Sequence, residues 1–163
     1  MIVYIVRHAW AEDRDGERFP DDDLRPLTRD GRKRFVRLAR RLIDAGMRPQ
    51  VIATSPLVRC AQTAEILAEQ LPRGAQVVPL DALAPGSDLA ALIEWSNRQS
   101  VDEVAWCGHA PDVGHLAAEL VGDGRASLRF AKGSVAAIRF DDVVAAGRGE
   151  LVWLATAKLL AGG

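Results

Sequence analysis

Apolar and polar positions follow two alternating periods along this chain, and the alternation predicts its elements. Ile2 to Val6 is a short apolar run rich in β-formers that stops at Arg7-His8, the pattern of a buried strand. Ala11 to Arg25 is charged and carries Gly16 and Pro20, so a long loop is expected there. Thr28 stands where an N-cap belongs, and Phe35, Leu38, Ala39, Leu42 and Ile43 recur at helical spacing up to Gly46. Val51 to Thr54 predicts a second strand. Ser55-Pro56 then offers a cap and a proline at the first helical position. Cys60, Ala61, Ala64, Leu67, Ala68 and Leu71 mark one helical face before Pro72.

The second half repeats the scheme. Strands are expected over Gln76 to Leu80 and Glu103 to Cys107, with helices over Leu89 to Asn97 and from about Pro111 to Val121. Two late strands, near Ser134 to Phe140 and Glu150 to Thr156, are placed to pair around the turn-rich Ala146 to Gly149. Such alternation implies a three-layer α/β/α sandwich with a mostly parallel sheet. No repeat, low-complexity tract or linker divides the chain, so residues 1–163 are read as one domain.

Composition narrows the class. At 163 residues a globular domain buries ~70% of its unfolded surface and needs no staples. Lys+Arg 21 against Asp+Glu 22 gives a net charge of -1, which argues against a protein that coats nucleic acid. No stretch approaches the ~20 apolar residues of a membrane span. The first six residues lack the basic leader and cleavage site of a signal peptide. Cys60 and Cys107 are too few for a disulfide framework and are read as small packing residues. A cytoplasmic setting without nucleic-acid or membrane partners is expected.

The chemistry gathers at strand ends, where open α/β sheets bind ligands. The first strand delivers Arg7-His8, the second Ser55 to Arg59, and the fourth Gly108-His109. Two imidazoles and two guanidinium groups on one rim, beside helix N-termini, suit an anion. Arginine forks match phosphate oxygens in a way lysine does not. No H-E-x-x-H pattern, C-x-x-C pair or Walker-type loop is present, so neither metal nor cofactor is expected. A neutral histidine is then the economical nucleophile, and adjacent arginines disfavour its protonation.

Three motifs carry a resemblance. Arg7-His8-Ala9, Ser55-Pro-Leu-Val-Arg59-Cys-Ala-Gln-Thr63 and Cys107-Gly-His109-Ala-Pro111 resemble the histidine phosphatase superfamily, whose fold is phosphoglycerate mutase-like. The short chain and Leu24-Arg25-Pro26-Leu27-Thr28 make it most similar to the SixA-type phosphohistidine phosphatases. The resemblance implies that His8 takes the phosphoryl group, that Arg7, Arg59 and His109 clamp it, and that Arg25 adds a contact from the loop. It implies a phosphorylated protein or a small phosphate as substrate. Ala9 replaces the glycine usual after the histidine, a change the SixA-like group tolerates.

No general acid is evident. The segment Leu80 to Gly86 is too short for a helical lid and offers only Asp81, with His109 the other group able to donate a proton. An alkoxide needs such a donor on leaving, whereas a protonated imidazole does not, so the site favours phosphohistidine over a sugar ester.

Bland alternatives accompany these readings. His8 alone reads equally as a polar residue closing a strand, Arg59 as a partner of Glu65, and Arg25 as an ordinary loop arginine. Trp10 fits the pocket mouth or the space under the loop; His115 reads as structural or exposed. Cys107 lies close enough to the rim for oxidation to be considered. Arg29, Arg32, Lys33, Arg34, Arg37, Arg40 and Arg41 load one helix, either to steer an acidic partner or as a solvated face neutralised by the acidic loop from Glu12 to Asp23. A small-molecule phosphatase and a non-catalytic phosphate reader are the rival functions. A receiver domain built on Asp21 to Asp23 is discounted, because those acids follow a loop.

Overall fold

The computed structural model describes residues 1–160. Six strands, β1 (Ile2–Arg7), β2 (Val51–Thr54), β3 (Gln76–Pro79), β4 (Glu103–Gly108), β5 (Val135–Arg139) and β6 (Glu150–Ala155), form one sheet in the order β3-β2-β4-β1-β5-β6. The first four in that order run parallel, and β5 and β6 are antiparallel additions at one edge. The helices are α1 (Arg29–Asp44), α2 (Val58–Gln70), α3 (Leu89–Asn97), α4 (Asp112–Val121) and a last turn α5 (Ala157–Leu160).

Alternation along β1 sends Tyr4 and Val6 to one face and Val3 and Ile5 to the other. The first face packs on α1 and α2 through Phe35, Leu38, Cys60 and Leu67. The second packs on α3 and α4 through Leu92, Val113, Leu116 and Leu120. The chain thus covers one face while stepping out from β1 to β3 and the other while returning, as crossovers of one hand require. The result is the expected α/β/α sandwich. No helix among the described residues is long and apolar enough to cross a membrane.

Thr28 caps α1, its hydroxyl accepting from the Gly31 amide at 2.9 Å. A Cβ on Gly31 would lie 2.2 Å from the Trp10 carbonyl oxygen, so glycine lets α1 press against the segment that follows His8. The start of α2 differs from expectation. Leu57, not Ser55, is its N-cap, and no side chain caps it. The Ser55 hydroxyl is fully buried and lies 2.9 Å from His109 Nε2, so a tertiary partner has taken the group that local pattern assigns to a cap. Pro111 likewise stands at the N-cap of α4 rather than inside it.

The charged segment before α1 is a loop, but an ordered one. Ala11 bridges Leu27, and a 3-10 turn at Asp22–Leu24 is capped by Asp21, which accepts from the Asp23 amide at 3.0 Å. Its acids do not neutralise α1. Asp22 pairs with Arg14, Arg25 and Arg59, Glu12 pairs with Arg18, and none of the seven basic residues of α1 forms an ion pair among the described residues.

Candidate active site

β1 and β4 are neighbours that end at the same level, with Arg7 paired to Gly108. The next residue on each chain is a histidine. The His8 amide donates to the Gly108 carbonyl at 3.0 Å, and the His8 carbonyl accepts from Gly133 at 3.1 Å. From α2, one hydroxyl ties in the rest: Thr63 Oγ1 accepts from the Ala9 amide at 3.0 Å and donates to the Arg59 carbonyl at 2.7 Å. The two imidazoles are neighbours, their ring centres 5.4 Å apart and their planes tilted by 58°.

Around them opens a cleft of about 450 Å³ lined by Arg7, His8, Arg25, Arg59 and His109. All five site residues expected from the sequence are brought together there. The Nε atoms of Arg7 and Arg59 are buried and have no partner in the protein. Burial holds both guanidinium groups below their ordinary range, but arginine stays cationic. Spare donors on fixed cations are what an incoming oxyanion requires.

Each arginine is aimed by a specific acceptor. Arg7 Nη1 donates to the Phe130 carbonyl at 2.7 Å. Arg59 Nη1 donates to the Asp22 carbonyl at 2.8 Å, and its Nη2 lies 3.3 Å from the Asp22 carboxylate. The same carboxylate accepts from Arg25 Nε at 2.9 Å, and this bond, ahead of the neighbouring positive charges, holds its pKa down. Asp22 therefore spans the two arginines, and Arg59 does not pair with Glu65.

His8 has one defined tautomer. Its Nδ1 lies 2.7 Å from the Ala9 carbonyl, which can only accept, so Nδ1 carries the proton and Nε2 keeps its lone pair. Burial pushes the pKa down to about 3; the Ala9 carbonyl pulls it up, while His109, Arg59 and Arg7 depress it further. The ring is neutral across the physiological range.

This shift has a signed consequence for stability. The unfolded chain protonates His8 near 6.5, the folded chain only near 3. Below pH 6.5 the unfolded state binds more protons, so stability falls with pH until the folded ring also titrates. Between pH 7.5 and 4.5 this is expected to cost the wild type about 2–3 kcal/mol relative to His8→Asn. Urea denaturation of both proteins at the two pH values measures the difference. Equal losses in both would mean that the ring is not held neutral.

Other side chains correct or extend the sequence reading. Asp81 sits in a 3-10 turn, exposed and outside the cleft lining. The carboxylates that do reach the cleft are Glu12, Asp13 and Asp112, together with the cations Arg14 and Lys132. Glu12 and Asp13 follow His8 within five residues, and Asp112 directly follows the Gly-His-Ala-Pro motif; those positions were the available signal. Lys132 had none, since it arrives through the Gly133–His8 backbone bond. Cys60 is more than packing, with Sγ 3.4 Å from His109 Nε2. Cys107 is fully buried behind it, donating to the Cys60 carbonyl at 3.5 Å, and is not at the rim. Trp10 lines an adjacent hollow rather than the cleft, under the Arg34 guanidinium. His115 is exposed. Among the described residues no group of three His, Cys, Asp or Glu side chains is arranged to hold a metal ion.

A neutral histidine beside spare cationic donors suits a phosphoryl group, and comparison with known proteins supplies the class, a phosphatase. The family model of the histidine phosphatase superfamily (branch 1) matches residues 3–85. Phosphohistidine phosphatase SixA of Escherichia coli K12 is 29% identical over 158 residues, covering 94% of this chain and 92% of that protein. An uncharacterized protein of Picosynechococcus sp. strain PCC 7002 is 39% identical over 121 residues, covering 72% and 71%. The structure of the protein histidine phosphatase SixA complexed with tungstate superposes with a TM-score of 0.83, at 28% identity and with 98% and 99% of the two chains covered. The chain belongs to the histidine phosphatase superfamily. Within it, this is a SixA-like phosphatase.

Proposed function

We propose that residues 1–163 act as a single cytoplasmic domain that hydrolyses protein phosphohistidine through a covalent intermediate on His8. The observation that carries this reading is the neutral His8 ring, anchored at Nδ1 by the Ala9 carbonyl and set beside two arginines with unused donors. The Nε2 lone pair attacks phosphorus, and the bond to the substrate imidazole breaks with its electron pair. That imidazole, protonated on its other nitrogen, departs neutral. Arg7, Arg59 and His109 hold the phosphoryl oxygens, and Arg25 supports them from the loop. Water then attacks the phospho-His8; Nε2 regains its lone pair, and both water protons leave with the phosphate. Tungstate, bound by the SixA relative, is a tetrahedral oxyanion of the kind such a pocket would take.

The leaving group follows from the acids at the cleft. Asp112 is occupied by the Gly86 amide at 2.9 Å, and Glu12 by Arg18. Asp13 is exposed on the loop. None of the three is buried in the manner that keeps a carboxylic acid protonated for an alkoxide, whereas phosphohistidine needs no such donor. Turnover of a phosphohistidine peptide is therefore expected to exceed that of hexose phosphates by about 100-fold or more in kcat/KM, on the order of the contribution of one general acid. Phosphate-release assays on both substrates test it. Faster turnover of the sugar ester would replace this reading with that of a small-molecule phosphatase.

A further inference from the structure

Two more hollows adjoin the catalytic cleft, and both follow the loop between α4 and β5. One, of about 380 Å³, is lined by Ala110, Pro111, His115, Arg125 and Arg129, and shares Ala110 and Pro111 with the cleft. The other, of about 350 Å³, is lined by Trp10, Arg129, Lys132 and Lys158, and shares Lys132 with the cleft and Arg129 with the first. The three depressions make a continuous arc. Residues 124–132 contain three cations and no acid, although the chain as a whole is nearly neutral. Neither outer hollow is lined by a carboxylate. Arg129 and Lys132 form no ion pair among the described residues, and Arg125 meets only the exposed Asp123 at 3.5 Å.

This loop is fixed to the catalytic machinery. Its Phe130 carbonyl receives Arg7, Gly133 bonds to the His8 carbonyl, and a Cβ on Gly114 would lie 2.7 Å from the Leu128 carbonyl, so the loop rests directly on α4. The cleft is also lined by Glu12, Asp13 and Arg14 of the loop before α1, a segment with more acids than bases. A phosphorylated side chain seated in the cleft leaves the residues that flank it at the cleft mouth, which the arc adjoins. The arc, which has no acid of its own, attracts carboxylates more strongly than the mixed-charge loop before α1, which favours docking along the arc.

We infer that the arc formed by residues 124–132 is a docking surface for an acidic segment of the phosphorylated protein. The inference rests on the phosphohistidine reading for the identity of the cargo, but docking itself depends only on charge. Several solvent-exposed pairs, each worth about 0.2–1 kcal/mol, add to about a tenfold preference at low salt. That preference fades as the Debye length shrinks toward ~3 Å near 1 M salt.

The test uses the full chain and three phosphohistidine probes: a peptide flanked by aspartates, one flanked by serines, and the free phosphoamino acid. Wild type is expected to favour the aspartate peptide about tenfold in kcat/KM, through KM rather than kcat. In the double variant Arg125→Glu, Arg129→Glu the preference is lost or inverted, while free phosphohistidine is turned over within twofold of wild type. Anisotropy with a fluorescent, unphosphorylated aspartate peptide reads docking separately, and the double variant should bind it at least fivefold more weakly. Equal binding of aspartate and serine peptides would overturn the docking surface, as would an aspartate preference that survives in the variant. Association of the arc with phosphatidylserine vesicles but not with the aspartate peptide would overturn it too. Failure to hydrolyse any of the three probes would instead overturn the phosphohistidine reading, with docking still judged by anisotropy.

Discussion

His8→Asn is expected to reduce turnover by on the order of 10⁴–10⁶-fold, the scale seen when a covalent nucleophile is removed from an otherwise intact site. Asparagine retains a polar group of similar reach but has no ring nitrogen lone pair to attack phosphorus. The arginines and His109 remain, so oxyanion binding persists and residual hydrolysis by direct water attack sets the floor. Brief exposure to a labelled phosphodonor should leave acid-labile, alkali-stable phosphate on the wild type and none on the variant. A variant that keeps more than a few per cent of wild-type turnover, or a turning-over wild type that never carries label, would sink the covalent route.

Arg59→Ala carries the next largest effect, about 2.7–4 kcal/mol of barrier, or 10²–10³-fold in kcat, by analogy with the loss of one preorganised oxyanion donor. The guanidinium is almost wholly buried, its Nε has no partner, and its other nitrogens are set by Asp22. Removing it also leaves Asp22 with only Arg25 and the exposed Arg14 as partners. Arg59→Lys restores the charge without the fork, so its recovery separates electrostatics from geometry and is expected to be partial. Steady-state kinetics on the three proteins, with thermal melts to confirm folding, decides the matter. Activity within threefold of wild type in Arg59→Ala would remove this arginine from the site.

The elements were legible where a local pattern suffices. The apolar run before Arg7, the Thr28 cap and the helical spacing from Phe35 to Ile43 need only neighbouring residues to be read. The five cleft residues were legible because each follows a strand end or sits in a recognisable motif. What stayed hidden depends on distant pieces of chain. The Ser55 hydroxyl looked like a cap because its competing partner, His109, lies 54 residues away. Asp22 was visible only as one of three successive acids, yet the fold of its loop makes it the strut between two arginines. Asp81 looked available as the only carboxylate in the short segment after the third strand, but the chain directs it to solvent.

Thr63 gives the site a mechanical property. Because a single hydroxyl receives from the segment bearing the attacking ring and gives to the helix bearing the guanidinium, those two groups cannot drift apart independently. The spacing between the His8 ring and the Arg59 guanidinium is thereby tied to one shared hydroxyl rather than to two independent anchors.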